Sequence, residues 1–178
     1  MTMCASTDTY RAPQKRKITV NLHAFAYNEG SVGSIKTTRG LPLQPNSLID
    51  ARFKLQRTRK FSKFQDVKLS NLDGRYSEVQ EFLDQHGNLS RLVEFEADQL
   101  ESRIKFWSRR WSNVHVAIGS NWGRHRAVAV QTRLAKELQL RFANHPDIEV
   151  DFRYYYHAFT LKPMVQFPRG HRSAECNS

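Results

Sequence analysis

The sequence predicts a single α/β domain in which a mostly parallel sheet is flanked by helices. A nearly continuous apolar run at residues 113–119 is typical of a central strand buried on both faces. A segment with helical periodicity follows at 127–142, and an alternating, strand-like segment follows at 148–159. Because strand, helix and strand in this order form a right-handed crossover, the two strands are expected to be parallel.

The earlier elements are shorter. Alternating apolar residues predict a first strand at 18–26, and a second short strand at 47–53. Strand side chains alternate between faces, so the second strand is expected to carry Asp50 and Arg52 on the same face. A turn follows at 70–74, and a short helix runs from Ser77 to about residue 87.

The longest predicted helix begins with Ser90 as its cap and continues to about residue 111. Its apolar residues fall close to a 3.6-residue period, which predicts a stripe buried in the core: Leu92, Val93, Phe95, Leu100, Ile104, Trp107 and Trp111. The helix at 127–142 is expected to turn a second apolar stripe inward, made of Val128, Val130, Leu134, Leu138 and Phe142.

The chain of 178 residues fits one domain, and its 39% hydrophobic content is enough for one core. Polar, basic ends predict flexible tails at 1–16 and 161–178, which leaves 17–160 as the folded domain. Cys4 and Cys176 lie in these tails, so no disulfide or cysteine metal site is predicted. With neither a long apolar run nor a signal peptide, the chain is expected to be soluble and cytoplasmic, without a membrane partner.

The net charge of +11 favours polyanionic partners, although charge that only keeps the protein soluble is an alternative. Basic residues interleaved with aromatic ones after the second strand suit RNA, through phosphate contacts and base stacking. The candidate RNA-binding residues are Arg52, Lys54, Arg57, Arg59, Lys60 and Lys63. A solvated basic loop whose aromatic residues anchor it to the core explains the same composition.

The segment from Gly119 to Arg126 leaves a buried strand and enters a helix, where unpaired backbone N–H groups favour an anion. Glycines permit close approach of the backbone, and the other side chains supply hydrogen bonds and positive charge. The candidate ligand-binding residues here are Gly119, Ser120, Asn121, Trp122, Gly123, Arg124, His125 and Arg126. An ordinary strand-to-helix turn with solvated arginines is the alternative.

This segment, VAIGSNWGRHRAVAVQTRLAKEL, resembles the signature of the RapZ family of RNase adapter proteins, in which an apolar strand leads to Gly-Cys-Thr-Gly-Gly, a basic residue and His-Arg-Ser-Val. Residues 25–30 are similar to the family's Phe-Gly-Phe-Lys-His-Gly, residues 50–53 to its Asp-Val-Arg-Phe, and residues 70–73 to its Thr-Gly-Leu-Asp. Four matches in the right order extend the resemblance over residues 18 to about 157.

The resemblance implies the C-terminal domain of these proteins, which binds an amino-sugar phosphate and also RNA. It adds Asp50, Arg52, Asn28 and Glu29 to the expected ligand site, although Asn28 and Glu29 stand where the family has Lys-His. Ser120 replaces the family's Cys, and Trp122 replaces a Gly. The sequence has no Gly-x-x-x-x-Gly-Lys-[Ser/Thr] loop, so ATP binding through such a loop is not expected.

We therefore expect a non-catalytic module that binds a phosphorylated small molecule, RNA or both, with an RNase and a second copy of the chain as further partners. An enzyme is the first alternative, because Ser120, five spacers and Arg126 imitate the Cys-x5-Arg loop of cysteine phosphatases; a Ser hydroxyl there needs a general base such as His125. A protein-interaction domain without a small ligand is the second. No cofactor is predicted, and the scattered histidines do not predict a metal site.

Overall fold

The computed structural model describes residues 14–36, 40–54, 69 and 71–157, with Phe53 and Lys54 described in their backbone only. The elements in chain order are β1 (Arg16–Ala26), β2 (Ser47–Asp50), α1 (Ala51–Lys54), α2 (Ser77–Gly87), α3 (Leu89–Trp107), β3 (Asn113–Ser120), α4 (Arg126–Phe142) and β4 (Ile148–Tyr156). Two 3₁₀ turns, Tyr27–Glu29 and Val32–Ser34, lie between β1 and β2. The predicted α/β fold is confirmed.

The four strands form one sheet in the order β2-β3-β1-β4, and all three neighbouring pairs are parallel. β1 and β3 are central, and both are almost continuously buried, as their apolar sequences predict. α4 connects β3 to β4 by crossing over β1, and it packs against all three strands. The crossover predicted from the sequence is therefore present.

The two faces of the sheet carry cores of different size. On one face, Val20, Leu22 and Ala24 of β1 lie in the main core with residues of α3 and α4. The opposite face carries a small cluster in which Phe25 and Ala117 contact Ile35 and Leu43 of the β1–β2 connection. The chain thus leaves β1 along one face of the sheet and leaves β3 along the other.

Several boundaries differ from the sequence prediction: β1 begins at Arg16, within the predicted tail, and three others lie at β2 and α3. β2 ends at Asp50, and Ala51–Lys54 is helical instead of extended. α3 begins at Leu89 and not after Ser90, because Asn88 adopts a left-handed conformation, with φ of 57°, that ends α2 and starts α3. α3 ends at Trp107, four residues before its predicted end.

The apolar stripe of α3 is mostly buried, but two of its predicted members are not. Phe95 is 55% exposed and Trp111 is 45% exposed, so their assignment to the core was wrong. Trp111 lies outside because the helix has already ended, and the chain turns toward β3. The stripe predicted for α4 is confirmed, since all five of its residues are buried.

Candidate functional site

The carboxyl ends of the four strands meet at one edge of the sheet. In the strand register, Ala26 is level with Ser120, Asp50 with Gly119, and Ala24 with Tyr156. The chain leaves the neighbouring strands β1 and β3 toward opposite faces, which opens a crevice between their ends. Open parallel sheets bind ligands at such a position.

The loop after β3 is held by its own first residue. Ser120 is 3% exposed, and its Oγ accepts a hydrogen bond from the backbone N–H of Gly123 at 3.1 Å. Gly123 has φ of 68°, a left-handed conformation that costs glycine least. The carbonyl of Asn121 accepts from the N–H of Asn28 at 3.0 Å, so the loop is also tied to the turn after β1. Trp122, at the tip, is 70% exposed.

Arg124 and His125 contact a turn at residues 71–75. An Arg124 Nη2 donates to the carbonyl of Asn71 at 2.8 Å, while the carbonyl of Arg124 accepts from the N–H of Gly74 at 3.0 Å. The His125 ring lies against the backbone of Leu69 and Leu72, which favours its protonated form. Burial, and then the charge of Arg124, lowers the pKa of His125, so its imidazole is neutral at pH 7.

Gly74 allows this turn to approach α4. A Cβ at Gly74 would lie 2.2 Å from the backbone nitrogen of Ala129 and 2.2 Å from the carbonyl oxygen of His125. Either distance is far inside van der Waals contact, and backbone atoms cannot rotate away. A glycine is therefore required where the turn meets the first turn of α4.

Asp73 and Arg75, which the sequence analysis did not select, flank that glycine as a buried ion pair. Their side chains are 1% and 7% exposed, and two Arg75 nitrogens contact the carboxylate at 2.9 and 2.8 Å. The backbone N–H of Arg75 donates to the same carboxylate at 2.9 Å. A buried charge needs such a partner, so the pair fixes the turn that Arg124 and His125 contact.

Asp50 and Arg52 repeat this geometry at the end of β2. The Arg52 backbone N–H, Nε and Nη2 contact the Asp50 carboxylate at 2.9, 3.0 and 2.7 Å. The shared spacing Asp-x-Arg is the sequence signal that would have found Asp73 and Arg75. The sequence correctly predicted that Asp50 and Arg52 lie together, although α1 and not a strand brings them together.

Tyr27 joins this pair to the loop, and it too was missed. The Arg52 guanidinium lies over the Tyr27 ring, 3.5 Å from its centroid. On the β3 side, a Cβ at Gly119 would lie 2.4 Å from Cε2 of Tyr27, so the ring sits directly against that glycine. Burial, followed by the Asp50 carboxylate, raises the pKa of the Tyr27 hydroxyl, which therefore stays protonated and able to donate at neutral pH.

The remaining predicted ligand residues lie around the same crevice. Asn28 and Glu29 are exposed on the 3₁₀ turn that contacts the loop. Arg126 is the first residue of α4, whose first turn contains no acidic residue that would oppose an anion. The fold therefore brings the residues that were predicted to bind a ligand to one edge of the sheet: Asp50, Arg52, Asn28, Glu29 and residues 119–126.

The predicted RNA-binding set is covered only at its start. Arg52 is described and belongs to the crevice, whereas the side chain of Lys54 and the residues Arg57, Arg59, Lys60 and Lys63 lie outside the described residues. Cys4 and Cys176 lie outside them as well. Within residues 14–36, 40–54, 69 and 71–157, no group of three metal-ligating side chains converges on a point.

The sheet order and the strand-to-helix loop at its switch point define this chain as a parallel α/β domain. The model of the RapZ C-terminal domain matches residues 18–154, and the chain belongs to that family. It is 29% identical over 146 residues to a nucleotide-binding protein of Carboxydothermus hydrogenoformans, a match covering 79% of this chain and 45% of the relative.

A nucleotide-binding protein of Dictyoglomus thermophilum is 26% identical over 107 residues, or 60% of this chain and 34% of that protein. The chain thus spans less than half the length of the relatives it matches. Among the described helices, none combines the length and the apolar composition that crossing a bilayer requires.

Proposed function

We propose that the chain is a non-catalytic binding module for a phosphorylated small molecule, either a nucleotide or a sugar phosphate, which binds in the crevice between β1 and β3. The observation that carries the proposal is the loop from Gly119 to Arg126, which the hydrogen bond between Ser120 and Gly123 closes at the start of α4. Backbone N–H groups at such a helix start suit a phosphate. Both relatives are nucleotide-binding proteins, which supports nucleotides as candidate ligands.

The crevice offers a distinct role to each part of such a ligand. Phosphate suits Arg126, Arg124 and the loop amides, because the loop and the start of α4 supply charged donors beside backbone N–H groups. The hydroxyl or amine groups of a sugar suit the carboxylates of Asp50 and Glu29. A planar base suits the ring of Trp122, which is 70% exposed beside the loop.

The chemistry of Ser120 and His125 favours binding over hydrolysis. The Ser120 hydroxyl is buried and already accepts a hydrogen bond within the loop, and the His125 ring lies against the backbone of Leu69 and Leu72. A serine nucleophile needs a general base on its hydroxyl, and the histidine engaged elsewhere does not serve as one. This observation supports a module that holds its ligand unchanged.

The proposal is tested by the thermal stability of the full chain against inorganic phosphate, nucleotides and sugar phosphates. A ligand present at a hundred times its Kd stabilises the folded state by about 2.7 kcal/mol, which gives a measurable rise in Tm. We expect one class of compound to raise Tm, and that rise to be lost when Arg124→Ala and Arg126→Ala are combined.

Arg133→Ala is the matched control, because this arginine lies on α4 but pairs with Asp84. The Arg133→Ala protein will differ in stability from the unaltered chain, but the rise in its Tm on adding ligand should remain. An undiminished rise in the double variant would remove the loop from the site, and no rise with any compound would refute phospho-ligand binding.

RNA binding, with an RNase as the eventual partner, is the second candidate function, and one surface favours it. At the end of α3, the Arg110 guanidinium lies 5.3 Å from the centroid of the Phe106 ring, and Phe106 and Trp111 are 51% and 45% exposed. No acidic residue occurs between Glu101 and Glu137. Exposed aromatic rings among arginines suit the stacked bases and phosphates of a single strand.

A salt titration of single-stranded RNA binding tests this candidate. We expect Arg109→Ala with Arg110→Ala to weaken binding and to reduce the dependence of log K on log salt, since each phosphate contact contributes about 0.7 to that slope. Arg57→Ala, Arg59→Ala and Lys60→Ala, taken together, test the stretch predicted from the sequence in the same way. An unchanged salt dependence in both variants would exclude both sets of residues as the RNA-binding site.

A further inference from the structure

Three histidines form a hydrogen-bonded row across the sheet, on the face opposite the helices. Nε2 of His23 in β1 lies 2.9 Å from Nδ1 of His115 in β3, and Nδ1 of His23 lies 3.0 Å from Nε2 of His157, which follows β4. The rings are tilted by 31° and 15°. This histidine row thus joins three neighbouring strands through side chains.

The row is buried at its centre and partly open at its ends. His23 is 4% exposed, and the Tyr155 ring stacks on it with the centroids 4.7 Å apart. His115 and His157 are half-buried. Water can therefore reach the two ends of the row more readily than its centre, and protons from solvent arrive at those ends.

The arrangement does not suit a metal ion. Each nitrogen of His23 faces a nitrogen of a neighbouring ring, and the two nitrogens lie on opposite sides of the imidazole. A metal needs three lone pairs directed at one point, and no such group exists within the described residues. Hydrogen bonding between the rings explains the distances.

The number of protons decides whether both bonds persist. A neutral imidazole has one N–H and one acceptor nitrogen, so three neutral rings form two bonds, all in one direction. One added proton can be held on an end ring. That ring then donates an N–H to His23, and His23 donates its own N–H to the ring at the other end, so both hydrogen bonds remain. With both ends protonated, two N–H groups point at a neutral His23 that has only one acceptor, so one bond must break.

The surroundings keep the added protons at the ends. Burial, and then the charges of His157 and His115, lowers the pKa of His23 to about 3, and burial also lowers the pKa of both end rings. On the same sheet face Lys17 pairs with Glu149, and Arg153 with Asp151. The described β1–β2 connection contributes Glu29 and Lys36, and neither acts on His23.

The two ends of the row are anchored unequally. His115 lies within a strand paired on both sides, and its backbone N–H and carbonyl bond to Asn46. His157 lies beyond the last residue of the edge strand β4, where its N–H donates to the carbonyl of Ala24 at 2.9 Å. The bond between His23 and His157 is therefore the one expected to break.

We propose that the histidine row is a pH-sensitive switch, in which the first proton is bound with both ring contacts intact and the second detaches His157, and the end of β4, from β1. The switch is separate from the phospho-ligand crevice and does not depend on it. It would link a mildly acidic environment to the attachment of the end of β4 to the sheet.

Nuclear magnetic resonance of the full chain labelled with ¹⁵N tests the switch between pH 8 and pH 5. The ring nitrogen shifts should show His23 neutral throughout and two separate protonation steps at His115 and His157. Only the second step should lower the hydrogen-exchange protection of the His157 amide. Measured against the Val116 amide as an internal reference, the expected loss is roughly tenfold, the change in equilibrium that one pK unit represents. Loss of protection in the first step, or protonation of His23, would overturn the proposal.

Two variants and one control complete the experiment. His157→Gln removes an end ring at a half-buried position. His23→Phe keeps an aromatic ring that can stack on Tyr155 but removes both ring nitrogens. The pH-dependent loss of hydrogen-exchange protection should disappear in each variant. His86→Gln alters a histidine on α2 that bonds to the Phe82 carbonyl, and the transition should persist. A transition retained in His157→Gln would refute the switch even if His23→Phe failed to fold.

Discussion

The contact between Gly119 and Tyr27 shows how one missing side chain shapes the crevice. A Cβ at residue 119 would lie 2.4 Å from Cε2 of Tyr27 and 2.5 Å from Cζ of Phe25. The Tyr27 ring carries the Arg52 guanidinium on its face, so a displaced Tyr27 also displaces the Asp50–Arg52 pair. The sequence suggested that Gly119 lets a ligand approach the backbone, whereas in the structure Gly119 makes room for the Tyr27 ring.

We expect Gly119→Ala to destabilise the protein by roughly 1–3 kcal/mol, because the added methyl group forces both rings to move. Urea unfolding measures this loss. Gly33→Ala is the matched control, since its Cβ would lie 3.7 Å from Oγ of Ser31, an ordinary contact. Equal stability of the two variants would contradict the packing described for Tyr27.

Ser120 illustrates what a motif leaves open. Its spacing to Arg126 fits both a ligand-orienting hydroxyl and a nucleophile, and the sequence does not separate them. The fold buries the hydroxyl and aims the Gly123 N–H at it, because the left-handed conformation of Gly123 turns the loop back on β3. The hydrogen-bond geometry of the loop, more than its composition, favours binding.

At the scale of elements, Arg141 connects the two long helices. Its guanidinium contacts Asp98 and Glu101 of α3 and Glu137 of α4, at 2.5, 3.1 and 2.9 Å. The three carboxylates together raise the pKa of Arg141, although burial opposes them. The shared cation holds α3 and α4 together on the solvent side, opposite their buried contact.

We expect Arg141→Ala to destabilise the protein by about 1–2 kcal/mol, because three neighbouring carboxylates lose their shared cation and only Glu101 keeps another, Lys105. The loss should shrink in high salt, which screens the remaining repulsion. Arg153→Ala serves as the control, because that arginine and its partner Asp151 are more than half exposed. Urea unfolding at low and high salt measures both, and a loss independent of salt would contradict this account.

At the scale of the whole molecule, the buried histidines make stability depend on pH. The pKa of His23 is about 3 in the fold and about 6.5 when unfolded, so between these values the unfolded chain binds more protons. The stability that comes from keeping His23 neutral is therefore fully present above about pH 6.5 and is lost as the pH falls. The lowered pKa values of His115, His125 and His157 act in the same direction.

We expect the free energy of unfolding to fall by a few kcal/mol between pH 7.5 and pH 5, since each extra proton on the unfolded chain contributes about 1.4 kcal/mol per pH unit. Urea unfolding at several pH values measures the slope. His23→Phe should reduce the slope, whereas His86→Gln should leave it unchanged. A free energy of unfolding that does not change across this pH range would show that burial does not lower the pKa values of these histidines.

Sequence reasoning recovered elements with strong periodicity and failed where the chain changes direction. The buried strand at 113–120 and the apolar stripe of α4 stand out because burial demands a fixed spacing of apolar residues. The start of α3 was missed because Asn88 serves two helices at once, and Trp111 was placed in the core because the end of the helix carries no strong signal. The Asp73–Arg75 pair was overlooked in a turn.

The sequence by itself determined the α/β class, the order of the elements, the family and the loop that begins α4, because these depend on local periodicity and on short motifs. Only the tertiary structure decided which distant residues meet. It placed Tyr27 between Gly119 and Arg52, buried Asp73 with Arg75 under the loop, and aligned His115, His23 and His157 across three strands. Strand order and register set such contacts, and neither is encoded in the spacing of residues along the chain.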